Sequence, residues 1–260
     1  PFCTTLGPGD VRLTTRYDLS DFTSSLFGVL HEAGHGMYEQ GLTPDEFGTP
    51  AGSAVSLGIH ESQSRLWENH VGRSEPFWSR WLPRARELFP SLRRVALSDF
   101  LRAVNRADFS FIRVEADEAT YDLHILLRFD LERRLLSGEL EVAAIPAAWN
   151  AGFEALFGMT PPDAARGCLQ DIHWSMGGLG YFPTYTLGNL NAAQLFRTAI
   201  KEPTIAAGCR TADYQPLLAW LRKTVHSKGA TIAPRELVRR ATGRAPDPAD
   251  YLAHLEKRFA

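Results

Sequence analysis

Residues 18–41 read DLSDFTSSLFGVLHEAGHGMYEQG and predict one long helix. Asp18 and Ser20 are residue types that cap helix starts, and Gly41 is typical of a helix end. The helix is therefore expected to run through Glu39. Its apolar residues recur near one helical face, at Phe22, Leu26, Leu30 and Met37.

Helical patterns also dominate the rest of the chain. Apolar spacing and end signals predict helices over 57–70, 76–88, 98–106, 117–136, 146–157, 184–200, 214–226, 234–241 and 248–259. Extended segments are expected only at 11–15 and 109–114. No internal repeat or long linker divides the chain. The sequence thus predicts a mainly α fold with a small β element, in a single domain over 1–260.

The composition argues against several classes of protein. A formal net charge of −2 gives no electrostatic reason to expect nucleic acid or an anionic membrane as partner. No apolar run approaches the ~20 residues that a membrane-spanning helix needs. The three cysteines are too few and too scattered for a disulfide framework. Residues 1–12 lack the pattern of a secretory signal. We therefore expect a soluble, cytoplasmic protein.

The long helix carries a candidate metal site in the pattern His-Glu-Ala-Gly-His at 31–35. Residues four apart lie on the same face of a helix, so His31 and His35 can bind one ion. Glu32 points aside from these ligands and lies close to any water that the ion holds. Such a water has its pKa lowered by zinc to about 7, so a carboxylate can take its proton at neutral pH. Glu32 is therefore the predicted general base.

A catalytic zinc needs a third protein ligand, and the candidates lie downstream. Asp45 and Glu46 follow the second histidine closely, in a loop that contains a proline. Glu61 comes 26 positions after His35 in the next predicted helix, where antiparallel packing would return its carboxylate to the ion. Glu68 is two turns further on and would project at a different height. Glu61 is therefore the predicted third ligand.

The sequence resembles the carboxypeptidase Taq family of thermostable zinc metallocarboxypeptidases. Five complete family elements occur in the family's order, namely D-x-R-x-T at 10–14, H-E-x-x-H at 31–35, H-E-S/G-Q at 60–63, I-R-x-x-A-D at 112–117 and G-x-x-Q-D-x-H-W at 167–174. Pro1 and Phe2 resemble the end of a sixth element, His-Pro-Phe. Family members are commonly about twice this length, and the chain resembles their carboxyl-terminal half.

The resemblance implies a helical zincin-type metallopeptidase domain that removes single amino acids from the carboxyl ends of peptides with broad specificity. It also implies a homodimer. The residues themselves predict hydrolysis by Glu-assisted attack of zinc-bound water, and they leave open whether cobalt replaces zinc. Two other functions stay open. The half-length chain could bind peptides or a partner without turnover, or it could act as an oligopeptidase or endopeptidase. The presence of Glu32 favours catalysis, because a pure binding site does not need it.

Arginines and a glutamine are the predicted substrate-binding residues. Arg113 suits a terminal carboxylate because its guanidinium is always charged and can bind in bidentate fashion. Its alternative role is a structural ion pair with Glu115 or Asp117. Arg12 has the same two interpretations, with Asp10 as its structural partner. Gln63 follows the third ligand closely, and with its neighbours His60 and Ser62 could contact either substrate or the metal ligands.

His173 and Tyr185 are the predicted donors to the oxyanion that forms when an amide is attacked. His173 could instead be a structural histidine held by Asp171. Tyr185 is preferred to Tyr181, although buried tyrosines at helix starts are common. Metal-bound histidines usually donate their second ring N–H to an outer partner, for which three carboxylates are candidates: Asp117, Asp171 and Glu68.

Overall fold

A computed structural model describes residues 2–259, and most of these residues are helical. Eleven α-helices lie within the described range: α1 Phe22–Glu39, α2 Leu57–Arg65, α3 Glu75–Leu88, α4 Leu97–Val104, α5 Tyr121–Leu136, α6 Ile145–Phe157, α7 Pro183–Ala199, α8 Pro203–Thr211, α9 Gln215–Thr224, α10 Pro234–Thr242 and α11 Ala249–Phe259. The predicted mainly α fold with a small β element is confirmed. Pro1, of the expected Pro1-Phe2 element, lies outside the described residues.

The chain divides into two compact units. Residues 2–105 and 187–258 form the first, and residues 106–186 form most of the second. The core of the first unit is built from apolar side chains that include Phe27, Trp78 and Leu221. The core of the second contains Leu131 and Phe153. The single catalytic domain expected over 1–260 stays a prediction.

The small β element is an antiparallel hairpin, in which β1 (Phe2–Gly7) pairs with β2 (Asp10–Thr14). The sequence predicts only the second of these strands. The turn between them contains Gly9, whose φ of +77° is a backbone conformation that glycine adopts without strain. The hairpin packs on α1 at Gly36, where an added β-carbon would lie 3.3 Å from Cγ1 of Val11.

Helix α1 begins slightly later than the sequence predicts. Asp21, rather than Asp18 or Ser20, is the N-cap, and its carboxylate accepts from the backbone N–H groups of Thr23 and Ser24. Asp18 instead accepts from the backbone N–H and the hydroxyl of Ser20, one turn before the helix. Asp21 is the cap because a capping carboxylate must lie close enough to accept from the backbone N–H groups of the first helical turn.

One other expectation about secondary structure is wrong, and one helix is missed. The segment 109–114 is not a strand, because Gln170 occupies its backbone groups. The N–H of Arg113 donates to the Gln170 side chain over 2.8 Å, and the Gln170 amide donates to the Phe111 carbonyl over 2.9 Å. A side chain thus replaces the neighbouring strand. Helix α8 is also absent from the sequence prediction, although Pro203 is a typical first helical residue.

None of the helices within residues 2–259 has the length and apolarity that crossing a bilayer requires.

Candidate functional site

The three predicted metal ligands come together in the first unit. Helix α1 carries His31 and His35, and α2 carries Glu61. The Nε2 atoms of His31 and His35 lie 3.6 and 3.3 Å from Oε2 of Glu61. One ligand atom from each residue lies within 4.8 Å of the other two. The α-helical spacing of the histidines and the return of α2 therefore produce a compact set of donors.

Two glycines allow the close approach that brings Glu61 to the histidines. A β-carbon on Gly34 would lie 2.5 Å from the carbonyl oxygen of Gln63, so α1 and α2 touch through their backbones there. On the other side of Glu61, a β-carbon on Gly188 would lie 2.4 Å from the Cγ atom of Glu61. Helix α7 thus presses directly on the third ligand. Neither position has room for a side chain.

Two hydrogen bonds from its own helix hold the Glu61 carboxylate in place. The Nε atom of Arg65 donates to Oε1 of Glu61 over 2.8 Å, and the Ser64 hydroxyl donates to Oε2 over 3.0 Å. Burial alone would raise the pKa of Glu61, but the charges of His31 and Arg65 hold it well below the usual range. Glu61 is therefore ionised, as a metal ligand must be.

Outer partners occupy the ring nitrogens that point away from Glu61. Nδ1 of His31 lies 2.9 Å from Oε2 of Glu68, and Arg65 and Arg73 flank that carboxylate. Nδ1 of His35 lies 2.5 Å from Nδ1 of His60, whose other nitrogen lies 2.8 Å from Glu39. Both candidate ligand histidines are thereby oriented with Nε2 toward the carboxylate of Glu61.

The donors present fit a divalent metal ion. Two imidazoles and one carboxylate form a set that zinc uses in catalytic sites, where it keeps at least one position for water or substrate. Each imidazole has an outer hydrogen-bond partner that fixes its free nitrogen, as is usual for metal-bound histidine. His31, His35 and Glu61 would hold the ion.

Glu32 is buried on α1, with 7% of its surface exposed. Burial raises the pKa of its carboxyl group, and although His31 opposes this, the nearby Glu61 and Glu68 carboxylates add to it. A carboxylate that holds a proton more readily than usual is suited to proton transfer near neutral pH.

Gln63 faces the interior of the first unit. Its side chain is fully buried, and its amide oxygen lies 2.8 Å from Nε2 of His226. Its amide nitrogen donates to the Ser62 hydroxyl over 3.0 Å. These contacts give Gln63 a structural role beside the candidate metal ligands, and its predicted contact with substrate stays a prediction.

Arg12 lies on the exposed hairpin. Its guanidinium makes two hydrogen bonds to the Asp10 carboxylate, of 2.5 and 3.0 Å. The structural partner expected from the sequence is therefore present. A substrate-binding role for Arg12 stays a prediction.

The second unit places Arg113 in a buried ion-pair cluster. Asp171 lies between Arg113 and Arg128, with N–O distances of 2.7 Å to each guanidinium. Arg113 also donates to the Tyr121 hydroxyl over 2.6 Å. The structural partner of Arg113 is thus Asp171 rather than Glu115 or Asp117. Only 5% of the Arg113 surface is exposed, so its predicted role as carboxylate receptor stays a prediction.

His173 and Tyr185 lie together in the second unit. Nε2 of His173 is 3.1 Å from the Tyr185 hydroxyl, and the Tyr181 ring packs 5.0 Å from the imidazole. Burial lowers the pKa of His173, with the charges of Arg113 and Arg128 acting in the same direction. The hydrogen bond between the neutral imidazole and the phenol joins the two predicted donors, and their predicted roles at the oxyanion stay predictions.

Sequence reasoning misses Glu39 and Arg128. Glu39 lies four positions after His35, so helical spacing alone places it on the same face of α1. Arg128 gives a weaker signal, because an arginine within a helix is typically exposed at its charged end, whereas here it is fully buried. Its partners Gln170 and Asp171 are distant in sequence.

The arrangement can be compared with known proteins. The family model for the carboxypeptidase Taq (M32) metallopeptidases matches residues 1–259. The chain belongs to this family. It is 53% identical to thermostable carboxypeptidase 1 of Thermus thermophilus and 40% identical to carboxypeptidase 1 of Bacillus subtilis, and covers 51% and 52% of their lengths. All of this chain is aligned in both cases.

A solved structure gives the same result. The crystal structure of an M32 carboxypeptidase from Deinococcus radiodurans matches 99% of this chain with a TM-score of 0.96 and 44% identity, over 52% of its own length. The chain therefore spans about half the length of the curated relatives it matches.

Proposed function

We propose that this chain is the catalytic half of a zinc metallocarboxypeptidase that releases the last residue of peptides with broad specificity. The observation that carries the proposal is the convergence of His31, His35 and Glu61, whose ligand atoms lie within 4.8 Å of one another. Membership of the M32 family supports it, as do the names of the relatives, which are carboxypeptidases.

The proposed chemistry is hydrolysis of the terminal peptide bond. Zinc, when bound, polarises the scissile carbonyl and makes water acidic enough to lose a proton near neutral pH. Glu32 accepts the proton of the attacking water and passes it to the departing amine. His173 and Tyr185 donate to the oxyanion, and Arg113 holds the terminal carboxylate so that only the last residue is released.

The decisive experiment measures release of the terminal amino acid from a short unblocked peptide, with and without a chelator. Glu32→Gln should lower the rate by about 10²–10⁴-fold while zinc still binds, because Glu32 transfers protons and is not a ligand. Glu87→Gln, which neutralises an exposed carboxylate on α3, is the matched control and should leave the rate unchanged. Amidating the peptide's carboxyl end should abolish cleavage.

Other results would redirect the proposal. Cleavage of the amidated peptide at internal bonds would indicate an oligopeptidase or endopeptidase. Tight zinc binding without any release would refute turnover by this chain and leave a domain that binds peptides or a partner. Replacing zinc by cobalt in the same assay tests the alternative metal.

Two further features belong to the proposal. The family resemblance implies a homodimer that acts on peptides, and the few scattered cysteines favour the cytoplasm. Sedimentation of the purified chain at micromolar concentration would test the oligomeric state, and a monomer would contradict that part of the proposal.

A further inference from the structure

A chain of side chains leads from the metal centre to the β-hairpin. It begins at His35, passes through His60 and Glu39, and ends at Thr5 on β1. The successive distances are 2.5 Å between the two Nδ1 atoms, 2.8 Å from His60 Nε2 to Glu39 Oε1, and 2.9 Å from the Thr5 hydroxyl to Glu39 Oε2. We call these four residues the relay.

The proton positions in the relay follow from the metal site. If Nε2 of His35 offers its lone pair to the ion, its only ring proton is on Nδ1. Nδ1 of His60 must then be the acceptor, which leaves the proton of His60 on Nε2. That proton is donated to Glu39, whose second oxygen accepts from Thr5. The ring nitrogens that link His35, His60 and Glu39 are all paired, and the hydrogen bonds from His60 and from Thr5 converge on the Glu39 carboxylate as acceptor.

The two metal histidines are therefore supported differently. His31 contacts the Glu68 carboxylate directly. His35 reaches its carboxylate, Glu39, only through a second imidazole. The side chains of His60 and Glu39 retain 21% and 19% exposure, whereas that of Glu68 retains 13%. The support of His35 thus lies nearer the solvent than that of His31.

Three elements must be in place for the relay to form. Glu39 is the last residue of α1, His60 lies on α2 and Thr5 lies on the hairpin. The Tyr38 ring packs 5.1 Å from the His60 ring and restricts its rotation. Contact of the hairpin with Gly36 places Thr5 within reach of the helix end. The orientation of His35 therefore depends on a segment distant from the metal ligands in sequence.

We propose that His60, Glu39 and Thr5 are positioning residues that hold His35 in its Nδ1-protonated tautomer, and that docking of the hairpin thereby sets the metal affinity. The inference rests on the proposed metal centre. Outer partners of metal-bound histidines contribute about 10–100-fold to metal affinity. The relay should contribute in this range, with the effect falling from His60 to Glu39 to Thr5.

The test is zinc affinity of the purified chain, measured by competition with a chromophoric chelator. His60→Phe should weaken binding by about 10–100-fold, because it leaves the Nδ1 proton of His35 without an acceptor. Glu39→Gln and Thr5→Val should give progressively smaller losses. Asp45→Asn, which removes one exposed carboxylate charge, and Thr4→Val, which changes the neighbour of Thr5 on β1, are matched controls and should bind as the wild type does.

A second measurement reads the proton positions without any substitution. ¹⁵N NMR of histidine-labelled, zinc-bound protein should show His60 protonated at Nε2 and not at Nδ1, and His35 protonated at Nδ1. The opposite tautomer of His60 would overturn the proposal even if His60→Phe fails to fold. The shift of His60 Nε2 should also change in Glu39→Gln, which a merely structural carboxylate would not cause.

The outcomes separate this inference from the function on which it rests. If His35→Ala keeps wild-type zinc affinity, the metal centre itself is wrong. If His35→Ala loses zinc while His60→Phe and Glu39→Gln bind it as tightly as the wild type, only the relay is refuted.

Discussion

Replacing Asp171 by asparagine tests the electrostatic reasoning about the second unit. Asp171 compensates two guanidiniums at once, those of Arg113 and Arg128, whose side chains are 6% and 0% exposed. Asparagine keeps the shape and removes the charge, so both cations remain buried without a counter-ion. Removing one partner of a buried ion pair costs about 3–5 kcal/mol. We expect Asp171→Asn to lower the free energy of unfolding by that amount.

The assay is urea unfolding at pH 7. Hydrogen exchange of the backbone amides of α5 is the readout, because it reports unfolding of the second unit directly. Asp163→Asn is the matched control, because Asp163 pairs with Arg166 over 3.1 Å at the surface, with side chains 44% and 55% exposed. An exposed pair of this kind contributes about 0–1 kcal/mol. Equal losses in the two variants, or a loss under about 1 kcal/mol for Asp171→Asn, would refute the reasoning.

The pH dependence of the same variant gives an independent check. Burial alone would raise the pKa of Asp171, but hydrogen bonds and charges from Arg113 and Arg128 lower it below its usual value. A carboxyl group with a lowered folded-state pKa stabilises the protein above its unfolded pKa of about 3.9, and this contribution is lost as pH falls through the folded value. The difference between wild type and Asp171→Asn should therefore be full at pH 7 and shrink below about pH 4. A difference that grew on acidification would contradict this.

Three further predictions concern other parts of the molecule. Gly34→Ala should push α1 away from α2, because the new β-carbon would lie 2.5 Å from the Gln63 carbonyl oxygen. The variant should bind zinc more weakly and lose about 1–3 kcal/mol of unfolding free energy. Gly7→Ala, where nothing lies within 4 Å, should do neither. Glu68→Gln should weaken zinc binding by about 10–100-fold in the chelator competition, since it removes a carboxylate from a metal histidine. His124 is fully buried, and burial together with the nearby arginines lowers its pKa to about 3. The neutral imidazole is therefore compatible with the fold above the unfolded pKa of about 6.5. The stability that depends on the neutral form is lost as pH falls toward about 3. In metal-free protein, His124→Phe should reduce the slope of unfolding free energy against pH between these values by about 1.4 kcal/mol per pH unit, and an unchanged slope would contradict the assignment.

Local geometry explains why much of the helical pattern is readable from sequence. Helix α1 is predicted nearly to its ends because capping groups, a terminal glycine and an apolar stripe all lie within one segment. The spacing of His31 and His35 needs no tertiary information either, since the helical period alone places them on one face. The strand prediction for 109–114 is wrong for the complementary reason. Its period-two pattern is local, but its hydrogen-bond partner, Gln170, is not.

The sequence by itself determined the mainly helical fold, the motif His31–Glu32–His35 and the family to which the chain belongs. It also favoured Glu61 over Glu68, by an argument about antiparallel packing. Only the tertiary structure decided where the remaining charges meet. Close packing of α1 and α2 at Gly34 places the Glu61 carboxylate beside the Nε2 atoms of His31 and His35. It also places Glu68 beside Nδ1 of His31.

The same holds for Arg113 and for His35. The partner of Arg113 is Asp171, 58 positions away, rather than a neighbour within its own motif, and the relay joins His35 to Thr5 on the hairpin. Such contacts depend on how closely separate elements pack, which no local spacing in the sequence encodes. Residue types and helical periods specify which groups can do chemistry, and packing between elements selects which of them meet.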